Sequence, residues 1–279
     1  MIIKSMPTVK LLIAALLFTI TANAQKLPNK QEISLRAPAT IKIDGKAGEL
    51  DNKFQAYNSA TDVFYTLSND DNNLYLIVQA TKARIIEKII AVGVTFIVNT
   101  AGEKNMKGKG NKAIVFPLLS VPDGQKIISI AGIKTKNAET DPRLIKADGI
   151  STIIKQPDSL IMAANKMLVN KANIIKTAGI NEVPDTLSIY NEHKIQVASA
   201  FNGNSAYTYE LSIPLKYLGL STNIAQKFSY GIQLKSRLDD MKKGVVVVYR
   251  YTSSGEQYNV NEDLDATTDF SGEYTLAKK

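Results

Sequence analysis

Residues Ala206–Leu220, AYTYELSIPLKYLGL, decide the fold. Tyr207, Tyr209, Leu211 and Ile213 alternate with Ala206, Thr208, Glu210 and Ser212. A period of two sends successive side chains to opposite faces of a β-strand. Pro214 has no N–H to give to a ladder and ends the strand. Leu215–Leu218 then read as a short helical turn, closed by Gly219. Glu210 places a carboxylate inside a tyrosine-rich strand, and such a charge is rarely buried without a partner.

The same β periodicity recurs on both sides. Upstream, Ile33–Leu35, Ile41–Ile43, Val63–Leu67, Leu74–Ala80, Gly93–Asn99 and Ala113–Leu118 are strand candidates. Lys126–Ile133 and Ile145–Ile154 are weaker ones. SNDDNN, residues 68–73, has the chemistry of a hairpin turn. Arg84–Ala91 reads as a helical turn. Downstream come Asp185–Tyr190, Ile195–Phe201, Phe228–Lys235, Val245–Tyr251 and Tyr274–Leu276. Between the two β-rich parts the period changes. Ile161, Ala164, Leu168, Ala172, Ile175 and Ala178 recur at steps of three and four. That spacing predicts one inserted α-helix over about 157–179, started by Pro157 or Asp158 and stopped by Gly179. Many short strands joined by turns, with no repeat and no linker, predict an all-β antiparallel sandwich.

Several of these segments, in this order, resemble carbohydrate-binding module family 9 and its DOMON-like relatives. The likeness is carried by IKIDG (41–45), TDVFYTL (61–67), DNNLYLIVQA (71–80) and YELSIP (209–214). It spans roughly residues 39–276. It implies a jelly-roll-like domain over 39–279, after an N-terminal tail and first strand in 25–38. It also implies a non-catalytic carbohydrate-binding protein linked to polysaccharide catabolism. Where relatives carry an acid followed by tryptophan this chain has Glu49–Leu50, and Ser271 stands where the family has an aromatic. The chain has no tryptophan at all. Stacking on a sugar ring therefore falls to tyrosines near predicted loops or strand ends: Tyr57, Tyr249, Tyr251 and Tyr258. The alternative is a structural or partner-binding envelope protein that keeps the sandwich without a sugar site.

The beginning of the chain reads as a processing signal. Lys4 and Lys10 precede the apolar run Leu11–Ile20, and Ala-Asn-Ala ends at residue 24. An apolar core of that length is short of the ~20 residues that span a bilayer. The sequence thus predicts cleavage after Ala24, a secreted or periplasmic location, and no transmembrane segment afterwards. With no cysteine, thiol catalysis, thiolate-bound metal and disulfides are all excluded. The net charge of +8 is spread along the chain. It lacks the basic stripe of a nucleic-acid binder, and no nucleic-acid partner is expected.

The remaining chemistry-bearing residues have modest readings. His193 is the sole histidine; without a nucleophile elbow it reads as an exposed loop residue, not as the base of a triad. Some DOMON-like relatives ligate haem with Met and His. Met162, Met167 and Met241 are here to pair with His193, but no spacing selects a pair, and two of the three lie on the predicted helix. The cluster NEDLD, 261–265, offers Asn261, Asp263 and Asp265 as oxygen ligands. The resemblance implies structural calcium there; solvated loop acid is the plain alternative. No other cofactor is expected. Lys104, Lys107, Lys109 and Lys112 are spread among glycines in a polar loop.

Overall fold

The computed structural model describes residues 26–279 except 52, 102–107, 109, 136–150, 225–226, 237–248, 252–256 and 260–265. Two antiparallel sheets form its body. One runs in the spatial order β1 (Ala56–Asn58), β2 (Val63–Asn69), β3 (Asn73–Ala80), β11 (Tyr207–Pro214), β10 (Gln196–Phe201). The other runs β15 (Thr268–Thr275), β12 (Lys227–Leu234), β4 (Val94–Asn99), β5 (Lys112–Phe116), β8 (Ile174–Ala178), β9 (Thr186–Ser188). Two small ribbons stand apart from them: β6 (Ile133–Thr135) with β7 (Ser151–Ile153), and β13 (Tyr249–Tyr251) with β14 (Gln257–Asn259). The all-β sandwich expected from the sequence is the fold observed.

The tyrosine strand sits where its pattern requires. Tyr207, Tyr209, Leu211 and Ile213 are fully buried in the common core. They share it with Leu76 and Val78 of β3 and with Phe96, Phe116, Phe228, Tyr230 and Ile232 of the facing sheet. The layers are joined by polar contacts as well as apolar ones. Tyr65 Oη of β2 lies 2.8 Å from Tyr230 Oη of β12. The backbone N–H of Gln31 also donates to Tyr65 Oη, at 2.8 Å. A buried phenol needs such partners because its hydroxyl has lost water.

The opposite face of the tyrosine strand is also covered. Thr208, Glu210 and Ser212 are buried, so all eight residues of β11 are inside. The cover is the N-terminal segment, which crosses this sheet as a strap. Ala47 and Phe54 pack on Ile77 of β3, with Leu27, Leu50 and Phe64 around them. Within the strap neither Ile33–Leu35 nor Ile41–Ile43 forms a strand. Gln31 substitutes for a strand: its Nε2 donates to Leu67 O, and its Oε1 accepts from Leu67 N. A single bridge, Arg36 with Asn69, follows.

Four α-helices occur among the described residues, where the sequence reading has one inserted helix and two helical turns. α1 (Ala83–Val92) connects the two sheets, between β3 and β4. Its Ile85, Ile86, Ile89 and Ile90 are buried. α2 (Val121–Ile130) occupies much of the stretch read as a strand at 126–133. The β-branched run Ile127–Ile128 suggested β, but Ser120 decides otherwise. Its Oγ accepts from Asp123 N at 3.2 Å and caps the helix. α3 (Asp158–Lys171) is the inserted helix, and it ends earlier than its apolar stripe. Its Asn165 donates to Phe201 O and accepts from Phe201 N, which fixes it against β10. Ala172 closes α3, and Ile174–Ala178 form β8, in which Ile175 and Thr177 point inward. Ile175 fits either a helical stripe or the inward face of a strand, whereas Ala178, three positions on, falls on the outer face of β8. α4 (Leu215–Leu218) follows Pro214 as read, and Gly219 ends it in the left-handed region at φ 69°. Among the described residues, no helix is long and apolar enough to cross a membrane. The processing signal at 1–24 lies outside the described residues.

Candidate functional site

Three connections meet at one rim of the sandwich and enclose a groove of about 550 Å³. The first is the β2–β3 turn. Asp70 organises it: Oδ1 accepts from the N–H groups of Asn72 and Asn73, each at 2.7 Å, and Oδ2 accepts from Tyr75 Oη at 2.6 Å. Burial alone would raise the Asp70 carboxyl, but these donors outweigh it and hold it below its ordinary value. The turn thereby presents Asp71, Asn72 and Asn73 to the groove.

The second connection is the loop between β9 and β10, built around Asn191. Its Nδ2 donates to Ser188 O and Ile195 O, and its Oδ1 accepts from Ile195 N. That closure sets Glu192, His193 and Lys194 along the groove, the last with φ 58°. The third is the corner from β11 into α4, which supplies Pro214, Leu215 and Lys216, then Leu220 and Ser221. Leu215 N donates to Asn72 O at 2.8 Å, tying the corner to the first turn.

His193 is not the exposed residue expected. Its side chain retains only 14% exposure. Its Nδ1 lies 3.1 Å from Tyr217 Oη, and the two rings meet edge-on at 5.6 Å. Lys216 Nζ rests 4.7 Å from the centre of the same tyrosine ring. Tyr217 is therefore the post on which the groove's histidine and one of its lysines are mounted. Asp71 is held by Arg36 at 2.9 Å and Lys279 at 3.2 Å, and these two cations keep its carboxyl below the usual range. The walls thus offer amides, a hydroxyl, an imidazole and ammonium groups. Pro214, Leu215 and Leu220 provide apolar surface between them. None of these lining residues is a tyrosine or phenylalanine.

Of the tyrosines singled out from the sequence, Tyr57 is not among the lining residues. Tyr57 is on edge strand β1. Its hydroxyl donates to Asp62 Oδ1 at 2.5 Å, and its ring packs on Phe64 at 4.7 Å. Asp62 also pairs with Lys82 and Arg84, so Tyr57 belongs to a structural ion cluster and its hydroxyl is already engaged. Tyr249, Tyr251 and Tyr258 fall on the β13–β14 ribbon, where Tyr249 stands opposite Asn259 and Arg250 opposite Tyr258. The side chains of that ribbon lie outside the described part of the structure. So do Asn261, Asp263 and Asp265, together with Met241, Lys104, Lys107 and Lys109. Among the described residues, no group of three or more histidine, aspartate or glutamate side chains is placed to hold a metal ion. Met162 lies on the outer side of α3, 70% exposed.

Glu210, the charge flagged in the tyrosine strand, has its partner in the IDG segment. Its Oε2 accepts from the N–H groups of Asp44 and Gly45, both at 2.8 Å. Its Oε1 is buried with no hydrogen-bond partner, as is Glu49 Oε2. Burial pushes the Glu210 carboxyl up to about 7. The two N–H donors work against that rise, while the charges of Asp44 and Glu49 add to it. Gly45 is required at this contact. A Cβ there would lie 2.7 Å from Ser199 C, and the residue sits at φ 83°. The IDG and YE motifs are therefore two halves of one structural lock between the strap and β11.

No family model matches this chain, and no curated protein matches it.

Proposed function

We propose that this chain is an exported, non-catalytic carbohydrate-binding protein that holds its ligand in the rim groove. The observation that carries this reading is the groove's composition. Asn72, Asn73, His193, Lys194, Lys216 and Ser221 supply donors and acceptors around an apolar surface of Pro214, Leu215 and Leu220. Sugars present hydroxyl edges and C–H faces, and a concave site with a few fixed polar groups over apolar surface answers both. The order of the IDG, LYL and YELSIP segments, which resembles family 9 modules, supports the same reading. So does the leader-like start of the chain. The structural calcium that the resemblance implies belongs to this proposal too, at Asn261, Asp263 and Asp265. A glycan array probed with the chain from Gln25 onward tests the function. Micromolar binding to a defined glycan, lost on changing His193 and Asn72 to alanine together, is the expected result. Binding that survives this double change, or a blank array, refutes it.

A second reading rests on a specific observation, the absence of a tyrosine or phenylalanine plate among the groove's lining residues. A structural or partner-binding envelope protein would use the same sandwich without a sugar. A blank array together with one stoichiometric protein partner, recovered by cross-linking at the cell envelope, is what this reading expects.

A further inference from the structure

We infer that the ligand of the rim groove is an acidic saccharide, one bearing carboxylate or sulfate groups. This inference rests on the carbohydrate reading above and narrows it. It comes from a census of the charges around the groove. Asp71 is the more sheltered of its two acids, and Arg36 and Lys279 already answer its charge at 2.9 and 3.2 Å. Glu192 is the other; its side chain is 91% exposed, and its Oε1 lies 3.9 Å from His193 Nε2. Lys194 and Lys216 approach from different connections, and neither has a carboxylate partner among the described residues. Lys216 is moreover held in place, with Nζ over the Tyr217 ring. The same ring supports His193, whose Nδ1 meets its hydroxyl. The four cations Arg36, Lys194, Lys216 and Lys279, set against the two acids Asp71 and Glu192, leave a net positive concavity. Such a concavity raises the local concentration of anions, and its bonds to them are charge-assisted.

The apolar surface keeps the ligand from being any anion. Pro214, Leu215 and Leu220 make up the apolar part of the groove's lining. A free inorganic anion gains nothing from it, whereas the C–H face of a sugar ring does. The amides of Asn72 and Asn73 come from a different connection than the two lysines, so hydroxyls and the acidic group find different partners.

The test measures binding to four probes by calorimetry, using the chain from Gln25 onward. They are an oligogalacturonide, a sulfated oligosaccharide, a neutral oligosaccharide of equal length, and polyacrylate as an anion without sugar. The expected result is that at least one acidic sugar binds about tenfold or more tighter than the neutral one. That preference should disappear in the double variant Lys194→Gln/Lys216→Gln and return in part with Lys194→Arg/Lys216→Arg. Melting curves confirm that both variants fold; the lysines are exposed, and little change is expected. Equal binding of neutral and acidic sugars, indifferent to the lysines, overturns the acidic preference and leaves the carbohydrate reading standing. Polyacrylate binding as tight as that of the acidic sugars overturns the inference in favour of plain anion capture. No binding to any probe overturns both.

Discussion

Replacing Glu210 by glutamine isolates the energetics of the lock between the strap and the tyrosine strand. The carboxyl is fully buried, and its pKa rises from an ordinary 4.5 to about 7 on folding. Because the folded value is the higher one, the folded chain binds the proton more tightly than the unfolded chain. The contribution to stability is complete below 4.5 and is lost as pH rises through 7. That interval corresponds to about 3 kcal/mol, at ~1.4 kcal/mol per pH unit. Glutamine keeps an oxygen for the two N–H groups of Asp44 and Gly45 but carries no proton to lose. Urea unfolding followed by circular dichroism, at steps between about pH 4.5 and pH 8.5, gives the stability of each protein. The variant should gain on the parent by about 3 kcal/mol across that range. The difference between the two is the informative quantity. Asp62 and Asp70, held low by their donors and cations, tilt both curves the other way at acid pH. A difference that stays constant with pH would show that Glu210 does not carry a raised pKa, and the idea of a protonated lock would fall.

Other substitutions probe the frame and the groove. Gly45→Ala forces a Cβ to 2.7 Å from the Ser199 backbone and should cost about 3 kcal/mol or more, read by thermal melting. Gly219→Ala meets open space at a similar φ and should cost only about 1 kcal/mol in the same assay. Tyr65→Phe strands the Gln31 N–H and breaks the bond to Tyr230, so about 2 kcal/mol is expected. Tyr230→Phe breaks the second of these alone and should cost about 1 kcal/mol; equal costs would contradict the geometry. Asn191→Ala opens the loop that presents His193 and should weaken glycan binding at least tenfold while the core stays folded, checked by near-ultraviolet circular dichroism.

The legible parts of the fold were those written in short, unambiguous periods. Residues 207–219 spelled out strand, proline stop, helical turn and left-handed glycine, and the structure has all four. The hairpin turn at Asp70–Asn73 was equally plain. The stretches misread were those in which two signals compete. At 126–133 a β-branched run hid a helix whose cap, Ser120 with Asp123, lies outside that window. At 172–178 a helical stripe continued by coincidence into β8. The buried outer face of β11 could not be read locally, since its cover comes from residues some 165 positions away. The groove was less legible still. Asn72, His193 and Lys216 belong to three connections with no shared motif, and only the topology brings them together. Tyrosine content says little about a binding face here, because Tyr65, Tyr207, Tyr209 and Tyr230 are core, and Tyr57 serves the Asp62 cluster.

Amide chemical-shift mapping of the isotopically labelled chain, titrated with the best-binding glycan, tests most directly where the ligand sits. Shifts should concentrate at 71–73, 192–194 and 214–221, with the strap and β1 unmoved. Shifts centred on 249–259, or on the Tyr57 edge, would place the ligand away from the groove and contradict the assignment.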